Sequence, residues 1–448
     1  MARFRSRRAA VVLGLVLALL VAGGASAWYV VQRGNRDVHR GADLPFSDVA
    51  TDTFPTVPTA PTTTAPSTAA STTAASTTAP STTATTASST VQAPPPSTPW
   101  AMWGFDPQHT RFNPEATQRP PFGSAWKVSF GDLVEFPPVA DDDGVYVETN
   151  RGLLVALDPE TGRIRWRHRV ASGSNVLASS PAMDAQRLYV TSLSGHVECV
   201  LRATGEPCWK LELGSRTESS PILVDGTVYF GAEAGDLYAV DAATGKVRWK
   251  AHADGALKAS PAYDAGRLYI GGYDGHVYAF DAATGKRIWS TGSIGRLGGF
   301  QAGRFYSTPA VAYGRVYLGS QDDRVYSLVA ETGQIAWTFS TGGWIYSGPA
   351  VAYRTVFIGS YDHRLYALDA RTGERRWSFD TGGPISGAPT VVNGVVYISA
   401  FDRGTFGLDA ATGKVLYQVR DGRYSPIVAT RDAVYLAGST AVYRLNGS

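Results

Sequence analysis

A stretch of about 40 residues recurs along the chain, and this repeat constrains the fold more than any other feature of the sequence. GGYDGHVYAFDAATGKRIW and GSYDHRLYALDARTGERRW are two of its copies. The copies end at seven aromatic residues, Trp166, Trp209, Trp249, Trp289, Trp337, Trp377 and Tyr417. Their spacing of 40 to 48 residues is typical of one four-stranded blade of a β-propeller.

Each copy can be divided into four short strands. In the fourth copy, Ser260-Pro261 opens the first strand, and Asp274-Gly275 supplies a two-residue turn of the kind that joins hairpin strands. Residues 276–280 alternate as a half-buried strand does. Thr284-Gly285 then turns the chain into the strand that carries Trp289. The pattern therefore predicts an all-β fold.

Eight such units can be counted from the prolines that open their first strands. These are Pro138, Pro181, Pro221, Pro261, Pro309, Pro349, Pro389 and Pro426. The eighth unit lacks a fourth strand, whereas SAWKVSF, which contains Trp126, precedes the first unit and has no blade of its own. We therefore expect residues 100–448 to form an eight-bladed β-propeller, in which this N-terminal strand completes the last blade and leaves no open edge.

The motif A-x-D-x-x-T-G-x-x-x-W resembles the tryptophan-docking motif of the pyrroloquinoline-quinone (PQQ) repeat family. It stands at residues 156–166, 239–249, 279–289 and 367–377, and WGFDPQHTRFNP (103–114) is similar to the lead-in of such proteins. The family includes quinoprotein dehydrogenases and BamB-like outer-membrane assembly proteins. The resemblance implies that one aromatic residue of each blade packs against the next blade: Trp126, Trp166, Trp209, Trp249, Trp289, Trp337, Trp377 and Tyr417.

The chain departs from the quinone enzymes in the residues that carry their chemistry. The resemblance implies a PQQ on the channel axis, a calcium ion, a catalytic Asp and two adjacent cysteines. The only cysteines here, Cys199 and Cys208, are not adjacent, and G-x-S-x-G, phosphate-loop and H-x-x-x-H patterns are absent. We expect no catalytic residue, no cofactor and no bound metal.

The two cysteines are instead predicted to form a disulfide. Cys199 lies in the third strand of blade 2 and Cys208 lies just before Trp209, so they are symmetric about the turn between these strands. Residues opposite each other on a hairpin are about 4.5–5.5 Å apart, within reach of a disulfide in an oxidising compartment.

The N-terminus predicts export. Arginines at positions 3, 5, 7 and 8 precede an uncharged apolar run from Ala9 to Val31, which at 1.5 Å per residue reaches roughly 35 Å and can cross a bilayer. We expect residues 1–8 to be a cytoplasmic tail, residues 9–31 a transmembrane signal-anchor, and the propeller to be extracytoplasmic. The alternative is secretion after signal-peptide cleavage following Ala27.

Residues 32–99 are predicted to be a disordered stalk, because residues 53–99 are almost entirely Thr, Ser, Ala and Pro. Residues 100–448 carry equal numbers of positive and negative side chains, which argues against nucleic acid. The expected partners are therefore the membrane, through the N-terminal helix, and a protein of the cell envelope.

One position varies among the copies instead of repeating. Three residues before each opening proline, in the loop that faces one mouth of the channel in this family, stand Glu135, Ala178, Glu218, Lys258, Tyr306, Tyr346, Ser386 and Arg423. Ring order makes Glu218 the neighbour of Lys258, and Arg423 the neighbour of Glu135. These residues form either a solvated rim or a pocket for a small anion, a sugar or a peptide end.

The loop at residues 292–303 is about eight residues longer than its equivalents and lies on the same face. With the next two loops it predicts a continuous apolar patch that binds a partner, made of Ile294, Leu297, Phe300, Trp344, Ile345, Tyr346 and Ile385. The alternative is that this loop folds down and plugs the channel.

These observations favour a membrane-anchored, non-catalytic scaffold that binds another protein. A propeller that binds or senses a small ligand is the alternative. A PQQ-dependent dehydrogenase is the third and least favoured interpretation.

Overall fold

The computed structural model describes residues 37–41, 43–48, 53–55, 98–296 and 303–447. No helix in this part of the chain is long and apolar enough to cross a membrane. The predicted tail (1–8), the signal-anchor (9–31) and the cleavage site after Ala27 lie outside the described residues.

The strands form eight sheets, one for each predicted blade. Two strands precede the blades, β1 (Phe112–Asn113) and β2 (Phe122–Ser129). Blades 1 and 2 contain β3 (Val139–Ala140), β4 (Val145–Thr149), β5 (Leu153–Leu157), β6 (Ile164–Arg169), β7 (Ala182–Met183), β8 (Arg187–Ser192), β9 (His196–Leu201) and β10 (Pro207–Glu212). Blades 3 and 4 contain β11 (Ile222–Val224), β12 (Thr227–Gly231), β13 (Asp236–Asp241), β14 (Val247–His252), β15 (Ala262–Asp264), β16 (Arg267–Gly271), β17 (His276–Asp281) and β18 (Arg287–Gly292).

The second half of the ring repeats this order. A single 3-10 turn (Ile294–Arg296) follows β18. Blades 5 and 6 contain β19 (Ala310–Ala312), β20 (Arg315–Gly319), β21 (Arg324–Val329), β22 (Ile335–Ser340), β23 (Ala350–Ala352), β24 (Thr355–Gly359), β25 (Arg364–Asp369) and β26 (Arg375–Asp380). Blades 7 and 8 contain β27 (Thr390–Val392), β28 (Val395–Ala400), β29 (Gly404–Asp409), β30 (Val415–Val419), β31 (Ile427–Ala429), β32 (Val434–Ala437) and β33 (Ala441–Gly447).

The ring closes as the sequence predicts. Strand β2 pairs antiparallel with β33, with Trp126 opposite Arg444, and becomes the outer strand of blade 8. The eight-bladed, four-stranded architecture and its closure by an N-terminal strand are therefore confirmed.

The tryptophan of each outer strand joins its blade to the next one. Trp249, for example, donates its indole N–H to the Ala282 carbonyl at 3.0 Å. A Cβ on Gly285 would lie 2.6 Å from that indole, so the ring occupies the space that the glycine of the next Thr-Gly turn leaves free. The same contacts recur from Trp126 to Trp377: Trp126, Trp166, Trp209, Trp289, Trp337 and Trp377. Tyr417, which has no indole N–H, packs its ring against Phe122 of β2.

The cysteines lie where the hairpin pattern puts them. Cys199 and Cys208 form a disulfide with a Cα–Cα distance of 5.2 Å. It links β9 to β10 on the outer side of blade 2, at the one-residue shift in register beside the docking aromatic residue that the other blades share.

Residues 37–48, here called the strap, pack on blades 5 and 6. The strap pairs with the outer strand β22 through an isolated bridge between His39 and Trp337. The Arg315 side chain donates to the carbonyls of Gly41, Leu44 and Pro45. Trp337 is consequently fully buried, whereas the other six docking tryptophans are only half-buried.

The strap changes the interpretation of residues 32–99 as one uniform stalk. Phe46 stacks on Tyr313 at 5.1 Å, and Phe54 contacts Tyr353 at 4.9 Å. Apolar and aromatic residues at these positions give the strap surface to bury, which the Thr/Ser/Ala/Pro-rich part of the segment does not have. The stalk predicted from residue 32 is therefore wrong for residues 37–48 and for Phe54.

Candidate functional site

Residues 98–113, here called the plug, run through the central channel. The inner strand of a blade pairs with a neighbour on one side only, so its other edge faces the channel. Backbone groups of the plug form hydrogen bonds with these free edges in blades 1, 2, 4, 5, 6 and 7. For example, the Trp100 N–H donates to the Ala140 carbonyl at 2.8 Å, and the Val391 N–H donates to the Arg111 carbonyl at 2.9 Å. Strand β1, at the end of the plug, runs parallel to β27. The channel is therefore closed by the chain itself.

The plug places Trp103 across the channel. The Arg111 guanidinium lies 4.6 Å from the centre of the indole ring, and the His109 ring meets its edge at 5.2 Å. Arg111 is fully buried and donates to the Pro389 carbonyl and the Thr390 hydroxyl. Burial lowers the pKa of Arg111 to about 9, because it disfavours the charged form. The contact with the Trp103 ring and the two hydrogen bonds stabilise the charged guanidinium.

The channel mouth contains a pocket with a cavity volume of about 80 Å³, and Trp103 of the plug is one of its lining residues. The predicted mouth residues that line it are Glu135, Glu218, Lys258, Tyr306, Tyr346 and Ser386. Six of the eight positions three residues before an opening proline therefore line the pocket, whereas Ala178 and Arg423 do not.

Glu218 and Lys258 form the ion pair expected from their ring order. Lys258 Nζ lies 2.7 Å from Glu218 Oε1 and 3.0 Å from Glu233 Oε1. The Tyr306 hydroxyl donates to Glu218 Oε2 at 3.2 Å. Burial lowers the pKa of Lys258, but its hydrogen bonds to both glutamates outweigh burial and leave this pKa raised. Both carboxylate oxygens of Glu218 are thus occupied.

Glu135 and Arg423 do not form the equivalent pair. Arg423 is exposed and lies over the rings of Phe401 and Tyr424, at 5.1 and 5.5 Å. Burial and the nearby charge of Glu218 raise the pKa of Glu135, and Arg423 lowers it only in part. Arg423 therefore lies on the exposed rim, over these rings, and forms no ion pair with Glu135.

Six aromatic rings follow one another along the mouth from blade 4 to blade 8. This aromatic arc consists of Tyr273, Tyr306, Tyr346, Tyr361, Phe401 and Tyr424, with centroid separations between 4.9 and 6.2 Å. Trp344 contacts Tyr346 at 6.3 Å and is 49% exposed. Tilted and edge-on contacts of this kind are favourable for aromatic pairs.

The predicted apolar patch is wrong for Ile345 and Ile385, which are fully buried. A Cβ on Gly319 would lie 2.0 Å from Ile345 Cγ2, and one on Gly359 would lie 2.2 Å from Ile385 Cγ2. Each isoleucine therefore fills the space that a glycine of the preceding blade leaves open. They are core residues and cannot contact a partner.

The other members of the predicted patch have different positions. Ile294 is half-buried against the core of blade 5, and its backbone N–H donates to the Tyr326 hydroxyl at 3.0 Å. Trp344 and Tyr346 lie on the mouth face, with Tyr346 inside the aromatic arc. Leu297 and Phe300 lie outside the described residues, so the position of the long loop stays a prediction.

The plug and four rings of the arc were not predicted from the sequence as parts of the site: Tyr273, Tyr361, Phe401 and Tyr424. Tyr361 and Phe401 could have been found from the repeat, because each is the first residue of the turn between the second and third strands, next to the channel. The plug occurs once, so no periodicity marks it. Its signal was the motif of residues 103–114, which has no place in any blade.

Comparison with known proteins agrees with this architecture. A family model described as outer membrane protein assembly factor BamB matches residues 118–252, 193–298, 253–343 and 324–448. No curated protein matches the sequence. The structure of BamB from Moraxella catarrhalis superposes with a TM-score of 0.58 at 18% identity, covering 72% of this chain and 99% of that one.

Two enzymes share the fold. A quinohemoprotein alcohol dehydrogenase from Comamonas testosteroni has a TM-score of 0.63 at 16% identity, covering 78% of this chain and 81% of that one. A europium-containing methanol dehydrogenase has a TM-score of 0.64 at 14% identity, covering 78% and 98%. These identities bear on the fold alone, whereas the family model matches residues 118–448 without a gap. The chain therefore belongs to the BamB-like family of PQQ-repeat β-propellers.

Proposed function

We propose that this protein is a membrane-anchored, non-catalytic scaffold of the cell envelope, whose channel-mouth face binds another protein. The aromatic arc, together with the exposed Trp344, is the observation that carries the proposal. Tryptophan, tyrosine and arginine are the residues that contribute most to protein interfaces, and here Arg304 and Arg423 flank the arc. The family's description as an assembly factor agrees with such a role.

The arc suits a partner because its rings are already ordered. Each ring is fixed by its neighbours, so little side-chain entropy remains to be lost on binding. Loops on a rigid scaffold are a frequent place for binding residues, and the arc is built from loops between strands of five successive blades. The apolar run at residues 9–31 supports the proposed anchor.

The residues of the pocket do not fit PQQ. This quinone carries three carboxylates, which would meet Glu135 and Glu218 at the channel mouth. Cys199 is fully buried and bonded to Cys208 within blade 2. Among the described residues no group of three or more His, Cys, Asp or Glu side chains is arranged to hold a metal. We therefore derive no quinone chemistry from this site.

The proposal is tested by crosslinking the full-length protein in its native membrane. Trp344→Ser should abolish crosslinks from the mouth face to its partner and leave the melting temperature nearly unchanged. Leu416→Ser is the matched control, because Leu416 is a 41% exposed apolar residue on the outer strand β30. The scaffold proposal is wrong if Leu416→Ser removes the crosslinks and Trp344→Ser retains them, or if neither the native protein nor a variant gives any.

A further inference from the structure

Glu135 is the one carboxylate of the mouth pocket that has no hydrogen bond or ion pair with another described residue. It is half-buried in the pocket lining. By contrast, Glu218 binds Lys258 and Tyr306, and Lys258 also binds Glu233. The cation that the pocket already contains is therefore shared between two other carboxylates.

The surroundings of Glu135 disfavour a lone negative charge. Glu218 repels it, and the guanidinium of Arg423, which attracts it, lies over the rings of Phe401 and Tyr424. A buried charge without a partner costs free energy, which a counter-ion in the same cavity recovers. A positive group between Glu135 and Glu218 would relieve both the desolvation and the repulsion.

The walls of the pocket favour an organic cation. Trp103, Tyr306, Tyr346 and Tyr424 are among the side chains that line it. The faces of aromatic rings attract ammonium groups, and they also pack against the methylene groups attached to them. An aqueous metal ion would find only one uncommitted carboxylate here.

We propose that the channel-mouth pocket binds the ammonium group of an alkylamine, with Glu135 as its counter-ion and the aromatic side chains as its walls. The same chemistry is available from a free alkylamine and from the lysine side chain of a bound protein. The lysine side chain as ligand rests on the proposed function, because it requires a protein partner, whereas a free alkylamine does not.

Calorimetric titration of the full-length protein with n-butylammonium and with N-acetyl-lysine amide tests the proposal. The neutral analogue 1-butanol is the ligand control. Glu135→Gln should weaken ammonium binding at least tenfold, because it removes the charge and keeps the shape of the side chain. Glu331→Gln should leave binding unchanged, since Glu331 is an exposed carboxylate in the Thr-Gly turn of blade 5.

Every outcome of the titration bears on the proposal. Binding of both ammonium probes supports a free amine as ligand, and binding of the lysine amide alone supports a lysine side chain. No saturable binding, equal affinity for 1-butanol, or equal affinity of the native protein and Glu135→Gln overturns the site. The crosslinks that depend on Trp344 can persist in each of these cases, so the two proposals fail separately.

Discussion

Two neighbouring positions of the repeat have opposite roles, and this alternation explains the site at the scale of single residues. Three residues before the opening proline, the side chain lines the pocket in six of the eight blades, as Tyr346 does. Four residues before it the side chain points into the core, as Ile345 does. The same core position is occupied by Val134, Leu177, Leu257, Phe305 and Ile385, all buried. Aligning the copies by this position would have predicted the burial of both isoleucines.

The contrast between Trp344 and Ile345 gives a prediction. Ile345→Ala should lower the stability of the protein by about 2–5 kcal/mol, because it leaves a cavity against Gly319. Trp344→Ala should lower it by only about 1 kcal/mol, because half of the side chain is in solvent and the main loss is its ring contact with Tyr346. Urea denaturation measures both. Equal losses in the two variants would contradict the assignment of Trp344 to the surface.

Glu148 gives a pH-dependent prediction. It is buried in β4, the Ser179 hydroxyl is its one hydrogen-bond donor among the described residues, and burial raises its pKa well above the ordinary value. Between the ordinary pKa and the raised one, the unfolded chain releases this proton and the folded chain keeps it. Stability therefore falls as the pH rises through this range.

Glu148→Gln should remove this dependence, because glutamine keeps the acceptor for Ser179 and has no proton to lose. Within this pH range, the free energy of unfolding of the variant should rise relative to that of the native protein by about 1.4 kcal/mol for each pH unit. Urea denaturation at several pH values measures this difference in the free energy of unfolding, and the exposed Glu331→Gln is the control. A difference that stays constant with pH would mean that Glu148 is ionised in the folded protein.

At the scale of the elements, the repeated features were predictable and the single ones were not. Strands, turns, docking tryptophans and the hairpin disulfide each depend on contacts within one blade or between two neighbours, which the repeat specifies. The plug and the strap are held by backbone hydrogen bonds to strand edges, and such bonds leave little trace in side-chain identity. Arg315 shows this limit, because its partners are three backbone carbonyls that no sequence pattern marks.

At the scale of the whole molecule, the strap changes how an anchor would hold the propeller. If residues 9–31 span the membrane, only residues 32–36 separate them from Asp37 of the strap, which binds Ser340. Five residues reach at most about 18 Å. The Thr/Ser/Ala/Pro-rich segment instead joins Phe54 to Trp100, and both of these residues contact the propeller. Both flanks of this segment are therefore held on the propeller, and an anchor at residues 9–31 would place the propeller close to the membrane.

This arrangement predicts that the strap stays bound after the loop is cut. A protease site introduced between residues 70 and 80 separates the chain into an N-terminal fragment with the strap and a propeller fragment. The two should co-elute in size-exclusion chromatography in detergent, and should separate in denaturant. The strap is held by backbone bonds such as Arg40 to Ala336 at 2.7 Å, by the Arg315 side chain and by the ring of Phe46.

Gly41→Val should release the N-terminal fragment after the same cut. A Cβ at position 41 would lie 1.9 Å from the Arg371 carbonyl oxygen, so a valine cannot occupy the docked position without moving the backbone. Gly123→Val is the control, because a Cβ there meets nothing within 4 Å. If the native fragments separate as readily as those of Gly41→Val, the strap does not hold the propeller, and the predicted stalk between membrane and propeller is restored.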